Sequence, residues 1–405
     1  MTKEIEVLDS LPGSGKTTAI IKYMADNQDQ PWIYLSPMLE QVETRIPEEA
    51  GELGVEFFVP TKEHGSKSQH ALQLLTDGKN IACTHELTLY FWKEHIDLIR
   101  DKGYRIVCDE ELNLIDSYRI KSEDLAFLNS KNMLFKDVEN YGRLHFTDTE
   151  MSYKAKYGDI KRLCDRGCLY GAKNAEGWMV TYLSPDLILN ASQFILLTYN
   201  FGGSIMEAFL KLHQVENKPF HLELYRSNQN IKQELTGLIE FVEPPSVQKF
   251  LGTQTGFSLS SSWWENNNKD LKATREGVFK LLGSLPKSNK VISENVFYTI
   301  PSAYLDAIPN RNISKSNMIP CNARATNDYA HKEYAIHAYN IFMLQDVKGY
   351  LNGYGYSVDQ DAYALNQLIQ WIFRGRIRER KPMKITILSK RMNLLFKHWL
   401  MTCNT

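Results

Sequence analysis

The segment from Ile5 to Ala25 limits what this chain can fold into more than any other. Ile5 to Leu8 form a short apolar strand, Asp9 to Gly15 a turn rich in Pro, Gly and Ser, and Lys16, Thr17 and Thr18 open the helical run AIIKYMA. Strand, glycine-containing loop and helix in that order predict an α/β fold on a parallel sheet. The spacing S-x-x-x-x-G-K-T, Ser10 to Thr17, lets successive backbone N–H groups wrap a phosphate. Lys16 would then reach the terminal phosphates, and Thr17 would offer its hydroxyl to Mg²⁺. Pro12, Gly13, Ser14, Gly15, Lys16, Thr17 and Thr18 are the expected nucleotide-binding set. Ser10 stands where such loops usually carry Gly, but Gly13 and Gly15 keep the permissive backbone.

A phosphate loop serves kinases, switches and motors alike, so a second acidic element must decide between them. The run YRIVCDEEL puts an apolar strand, Ile106 to Cys108, directly before Asp109 and Glu110. Two carboxylates are thereby expected at the carboxyl edge of a parallel sheet, where ligands of open α/β sheets bind. Asp109 is the expected second metal residue beside Thr17. Glu110 is the expected base, since in-line hydrolysis needs an acceptor facing the water that attacks the terminal phosphate.

With both elements in place, the chain resembles the superfamily 2 helicases, whose D-E-x-x motif is matched by Asp109-Glu110-Glu111-Leu112. IYLSPMLEQVETRI is similar to the segment that touches the nucleic-acid backbone, through Ser36, Pro37 and Arg45, and ACTHELTLYF to the next such motif, through Thr84 and His85. FILLTYNF resembles the motif coupling hydrolysis to strand contact, with Thr198 as the matching residue. PCNARATNDY resembles the fifth motif, in which Arg324, Thr326 and Asp328 would face strand and nucleotide, and LIQWIFRGRIR the sixth, with Gln370 and the arginine fingers Arg374 and Arg378. The family sets its two arginines three residues apart. Here they are four apart, so on a helix both guanidinia still share one face. ARATNDY, QWIFRGRIR and ILSKRM together look most like helicase-type ATPases encoded by bacteriophages. No glutamine motif stands before Ser10, which leaves adenine selectivity unsupported.

The resemblance implies two RecA-like lobes with ATP and Mg²⁺ as cofactors and single-stranded or forked nucleic acid, DNA favoured, as partner. It also implies a part in phage-type genome replication or recombination, alongside replication proteins. The expected domains are an ATP-binding lobe over 1–205 with an insertion at about 120–183, a connector over 206–230 and a second lobe over 231–405. The insertion interleaves Lys154, Lys156, Lys161, Arg162, Arg166 and Lys173 with Tyr153, Tyr157, Tyr170 and Trp178. That mix would suit an unpaired strand, but a solvated helix over buried aromatics is the reading favoured. SLSSSWWENNNKD reads as an irregular surface loop in which Trp263 and Trp264 are packing anchors.

Composition narrows the alternatives. The 47 basic and 48 acidic side chains leave a net charge of -1, so a nucleic-acid partner must be held by local patches. Six scattered cysteines, Cys164 and Cys168 among them, and an opening MTKEIEVLDS without an apolar signal predict a cytoplasmic protein, in the host cytoplasm if viral, with no membrane partner. A nucleotide kinase would share the GSGKTT loop but leaves ARATNDY and the C-terminal arginines without a role. An ATP-dependent clamp or remodelling factor that does not unwind a duplex remains as the nearer alternative.

Overall fold

The computed structural model describes residues 4–63, 65–147, 157–174, 177–266, 269–308, 313–321 and 328–402. Contacts divide the chain into two units, and each is α/β with a wholly parallel central sheet. This is the α/β architecture on parallel sheets, with an insertion in the first unit, that the sequence predicts.

The first unit takes in residues 1–9, 16–223 and 343–359. Its strands begin with β1 (Glu4–Asp9), β2 (Trp32–Ser36), β3 (Ile81–Thr84) and β4 (Arg105–Asp109). The insertion supplies β5 (Ile115–Tyr118), β6 (Leu134–Asp137), β7 (Arg143–Phe146), β8 (Leu169–Gly171) and β9 (Met179–Tyr182), and the main sheet resumes with β10 (Gln193–Thr198) and β11 (Glu216–Pro219). The main sheet has the order β11-β1-β10-β4-β2-β3. WIYLS in β2 is buried at every position and QFILLT in β10 at all but the first, as strands covered on both faces require. Register then decides where chemistry can sit. Asp9 pairs with Thr198, Leu197 with Asp109 and Ser36 with Thr84, so the last residues of five strands line one carboxyl edge.

Residues 206–223 of the expected connector are elements of this unit: the helix Ile205–Leu212 and the edge strand β11, which pairs with β1. The insertion is an antiparallel sheet in the order β5-β9-β8-β7-β6 over its own apolar cluster, which includes Leu128, Leu144, Tyr157, Cys164 and Leu169. Two of its cations are matched by neighbouring acids, Lys161 by Asp165 and Arg162 by Asp159, while Arg166 lies over the Trp92 ring and Lys173 over the Tyr354 ring; Tyr157 is buried with its hydroxyl on Asp124. Lys154, Lys156 and Tyr153 lie outside the described residues. The helix Gln345–Gly353, distant in sequence, joins the insertion through Tyr350, whose hydroxyl meets that of Tyr182 and donates to the Tyr141 carbonyl at 2.6 Å.

The second unit comprises residues 10–15, 224–342 and 360–405. Its sheet runs β12 (Ile239–Phe241), β15 (Met383–Ile387), β14 (Tyr334–His337), β13 (Val296–Thr299). The serine-rich stretch expected as an irregular loop is instead the helix Ser261–Glu265. Ser260 caps it by accepting from the Trp263 N–H, and this turns Trp264 into the core, where it is fully buried.

His337 ends β14 and is fully buried. Neither ring nitrogen has a hydrogen-bond partner among the described residues, and the ring lies edge-on to Trp371. Burial lowers its pKa from 6.5 to about 3. The unfolded chain therefore takes up a proton that the folded one refuses, and stability contributed at neutral pH is lost as pH falls from about 6.5 towards 3. Between pH 7 and pH 5 the loss through this residue is expected to be about 2 kcal/mol. Urea unfolding at both pH values checks it: His337→Leu should lack that increment, and an equal acid loss in both proteins would assign it elsewhere.

Among the described residues, no helix is long and apolar enough to cross a membrane.

Candidate nucleotide site

Beyond β1 the chain turns through Gly13 at φ 82° and Gly15 at φ 93°, left-handed values that favour glycine, and enters the helix Lys16–Asp26. The Ser14 N–H donates to the Leu11 carbonyl at 3.3 Å. Ser14 is fully buried, and its Oγ has no partner among the described residues. A buried hydroxyl left so, at a helix N-terminus, fits a phosphate oxygen. Asn228 fixes the other end of the loop. Its Oδ1 accepts from Ser10 Oγ at 2.9 Å and from the Leu11 N–H at 2.8 Å, while the Arg226 N–H donates to the Ser14 carbonyl at 3.2 Å. This explains serine at position 10, because glycine there would forfeit a bond to Asn228.

Lys16, the first helical residue, has its pKa drawn down to about 8 by burial, against the pull of Asp109, Asp9 and Glu110. One ammonium thus faces three carboxylates. A polyphosphate adds more negative charge, so the site fits a nucleotide that brings a divalent cation with it. No three His, Cys, Asp or Glu side chains form a metal cage among the described residues. Thr17 and Asp109 are the residues that would hold Mg²⁺ brought in by a nucleotide, and an ion carried largely by phosphate would need no such cage.

Asp109 is the buried last residue of β4. On the neighbouring strand β2, the Tyr34 hydroxyl lies 3.2 Å from Asp109 Oδ2 and 3.1 Å from Gln41 Oε1. Burial, and then Asp109 itself, raise the Tyr34 pKa well above its ordinary value, so the phenol stays a donor and orients the carboxylate. Glu110 sits at φ 64°, a left-handed conformation that costs a residue with a Cβ about 1–2 kcal/mol. Its N–H donates to the Leu197 carbonyl at 2.9 Å. Thr198, ending β10 between β1 and β4, directs its hydroxyl to Glu111 Oε1 at 3.4 Å. Asp9 accepts the N–H groups of Asn200 and Phe201 at 2.7 and 2.9 Å, tying the end of β1 to the turn after β10.

Two of the described residues expected to hold nucleic acid, Ser36 and His85, are buried. Ser36 is fully buried, with its hydroxyl near Gln41 Oε1 and accepting from the Met38 N–H. Arg45 lies against the phosphate-loop helix, paired with Glu49 at 2.6 Å and donating to Thr18 Oγ1 at 3.2 Å. Thr84 ends β3 at the carboxyl edge, whereas His85 is buried with Nε2 3.6 Å from Cys108 Sγ. Arg324 and Thr326 lie outside the described residues.

In the second unit, Gln370 lies on the helix Gln360–Ile372 with Nε2 3.4 Å from Asn366 Oδ1. Arg374 and Arg378 do not share a helical face. The helix ends at Ile372, Gly375 is extended, and a 3₁₀ turn begins at Arg376, leaving Arg374 buried and Arg378 exposed. Arg376 is bound to Glu333 at 2.6 Å and to the Pro382 carbonyl.

Sequence reasoning missed Tyr34, Gln41 and Asn228. A tyrosine inside an otherwise apolar strand was the only signal for the first, and nothing local marks the other two.

Residues 233–400 match the model of the YonV C-terminal Rossmann-like domain, and residues 115–181 that of the YonV middle domain. The SPbeta prophage-derived uncharacterized protein YonV of Bacillus subtilis (strain 168) is 25% identical over 422 aligned positions, covering 98% of this chain and 99% of the relative. Among solved structures, S. tokodaii Xpd4 aligns with a TM-score of 0.49 at 14% identity, over 99% of this chain and 95% of that one. S. cerevisiae Dbp5 bound to RNA and ADP BeF3 aligns with a TM-score of 0.36 at 14% identity, over 98% and 82%. The chain is therefore similar to a prophage-derived protein over nearly its whole length, with a Rossmann-like C-terminal region and an insertion matching that relative's middle domain.

Proposed function

We propose that this protein is an ATP hydrolase of the helicase or translocase type, driven along single-stranded or forked nucleic acid, with DNA favoured. The observation that carries the reading is the convergence of Lys16 with Asp109, Glu110 and Asp9 at one carboxyl edge. The loop N–H groups and Lys16 bind the triphosphate, while Tyr34 holds Asp109 in its orientation. Mg²⁺, held by Thr17 and Asp109, would neutralise charge on the phosphate oxygens. Glu110 accepts a proton from water as the water oxygen bonds to the γ-phosphorus, and the bond to the bridging oxygen breaks to leave ADP and phosphate. Thr198 and Glu111 form the link through which this event reaches the turn after β10. Arg374 and Arg378 are proposed to supply positive charge to the transition state. The prophage origin of the relative supports a phage-type role in replication or recombination.

Turnover of ATP measured with no nucleic acid, single-stranded DNA, single-stranded RNA and forked duplex tests the proposal. DNA-stimulated hydrolysis, together with strand separation on the fork, is expected. Stimulation without separation would favour a clamp or remodelling factor, and consumption of a small phosphate acceptor would replace the proposal with a kinase. Arg374→Ala and Arg378→Ala, assayed alongside for turnover and nucleotide affinity, should lower the first and spare the second.

A further inference from the structure

The phosphate loop grips phosphates and is blind to the rest of a nucleotide. Beside it stands Tyr225, 82% exposed and the most exposed large hydrophobic side chain among the described residues. Water disfavours a bare ring, yet this ring's anchorage is tightly set within the second unit, to which loop residues 10–15 also belong. A Cβ on Gly15 would lie 3.2 Å from Tyr225 Cβ and 3.6 Å from its backbone nitrogen, so the two segments touch at the residue before Lys16. The bond from the Arg226 N–H to the Ser14 carbonyl fixes the same approach.

All of these contacts use the backbone and Cβ of Tyr225. Alanine would preserve them, so supporting the loop gives no reason for an aromatic ring. A second observation does. The Arg380 guanidinium lies 6.0 Å from the ring centroid, in a residue held at a left-handed φ of 59°. Glu234 engages Arg380 at 3.6 Å and also binds Arg226, so one carboxylate anchors both arginines beside the ring. Phosphate chemistry needs neither the ring nor Arg380. An exposed phenol face with an anchored cation, fixed next to a phosphate-binding backbone, suits a flat, electron-rich heterocycle attached to a polyphosphate.

Resting on the nucleotide-binding reading above, we infer that Tyr225 is the stacking platform for the base of the bound nucleoside triphosphate, with Arg380 positioned against it. Every base presents a π-face, so the platform contributes affinity for a purine without separating adenine from guanine.

The test is isothermal titration of the whole protein, with Mg²⁺ present, by ATP, GTP and inorganic tripolyphosphate, for wild type, Tyr225→Ala and Tyr225→Phe. Wild type is expected to bind ATP and GTP within a few-fold of each other, and both about 10- to 100-fold more tightly than tripolyphosphate. Tyr225→Ala should remove most of that preference without weakening tripolyphosphate, and Tyr225→Phe should keep it. An unchanged preference in Tyr225→Ala overturns the inference, as does equal weakening of all three ligands, which would make the tyrosine a support for the loop. If wild type binds none of the three, the nucleotide-binding reading itself falls and takes the platform with it.

Discussion

Replacing Lys16 by alanine is expected to abolish ATP turnover and, at neutral pH, to raise the melting temperature of the free protein. Turnover should fall by at least about 10²–10³, the usual consequence of removing a charge aimed at the transition state. The gain in stability has a separate origin. Burial lowers the Lys16 pKa to about 8 from 10.5 although three carboxylates pull it upward, so the charged side chain is less comfortable folded than unfolded. Below pH 8 the full penalty applies. Between about 8 and 10.5 the folded protein gives up the proton while the unfolded chain keeps it, so wild-type stability rises through that window and the gap to the variant closes. The side chain keeps some exposure to solvent, which screens the effect, and about 1–2 kcal/mol at pH 7 is the expected gain. Turnover and differential scanning calorimetry at pH 7 and pH 10 read both halves. Activity within a few-fold of wild type would remove Lys16 from the phosphate site. A lower melting temperature in the variant at pH 7 would mean that Asp109, Asp9 and Glu110 more than repay its burial.

What could be read from the sequence was what is local or repeated along a strand. The phosphate loop is contiguous, and IYLS, RIVCD and FILLT are apolar runs of the kind that fill a doubly covered parallel sheet. Once those strands are parallel, their terminal residues must share an edge, and Asp9, Asp109 and Thr198 follow. Residues whose partners are remote left no trace. Tyr34 meets Asp109 across 75 residues and Asn228 meets Ser10 across 218, and neither pairing has a spacing to recognise. The insertion hid its sheet because strands such as LFKD, RLHF and LYG are too short to establish an alternating period. Its closure on the helix Gln345–Gly353 joins parts of the chain that a linear domain reading keeps apart. The two arginines were placed on one helical face because a four-residue spacing was extrapolated past Ile372, where the helix had already ended. His85 and Ser36 match motif positions, yet the side chains themselves turn inward, a distinction that sequence likeness does not encode.

Glu110→Gln should lower turnover by about 10²–10⁴ while leaving nucleotide affinity within a few-fold. The amide keeps the shape of the carboxylate and can still orient water through a hydrogen bond, but it cannot take the proton that must leave as the oxygen attacks. The backbone at this position allows a second variant to separate chemistry from fold. Glu110 holds φ 64° because its N–H is committed to the Leu197 carbonyl, and glycine reaches that conformation without the Cβ clash. Glu110→Gly is therefore expected to be as inactive as Glu110→Gln, yet more stable than wild type by up to about 1 kcal/mol once glycine's greater unfolded-state freedom is set against the relief. Single-turnover hydrolysis, nucleotide titration and urea unfolding of the three proteins provide the comparison. Inactivity in both variants with intact affinity marks Glu110 as the proton acceptor held in a strained turn. Near-normal turnover in Glu110→Gln would move that role to Glu111, the carboxylate next in sequence that meets the Thr198 hydroxyl, and loss of affinity in both would make Glu110 a binding group.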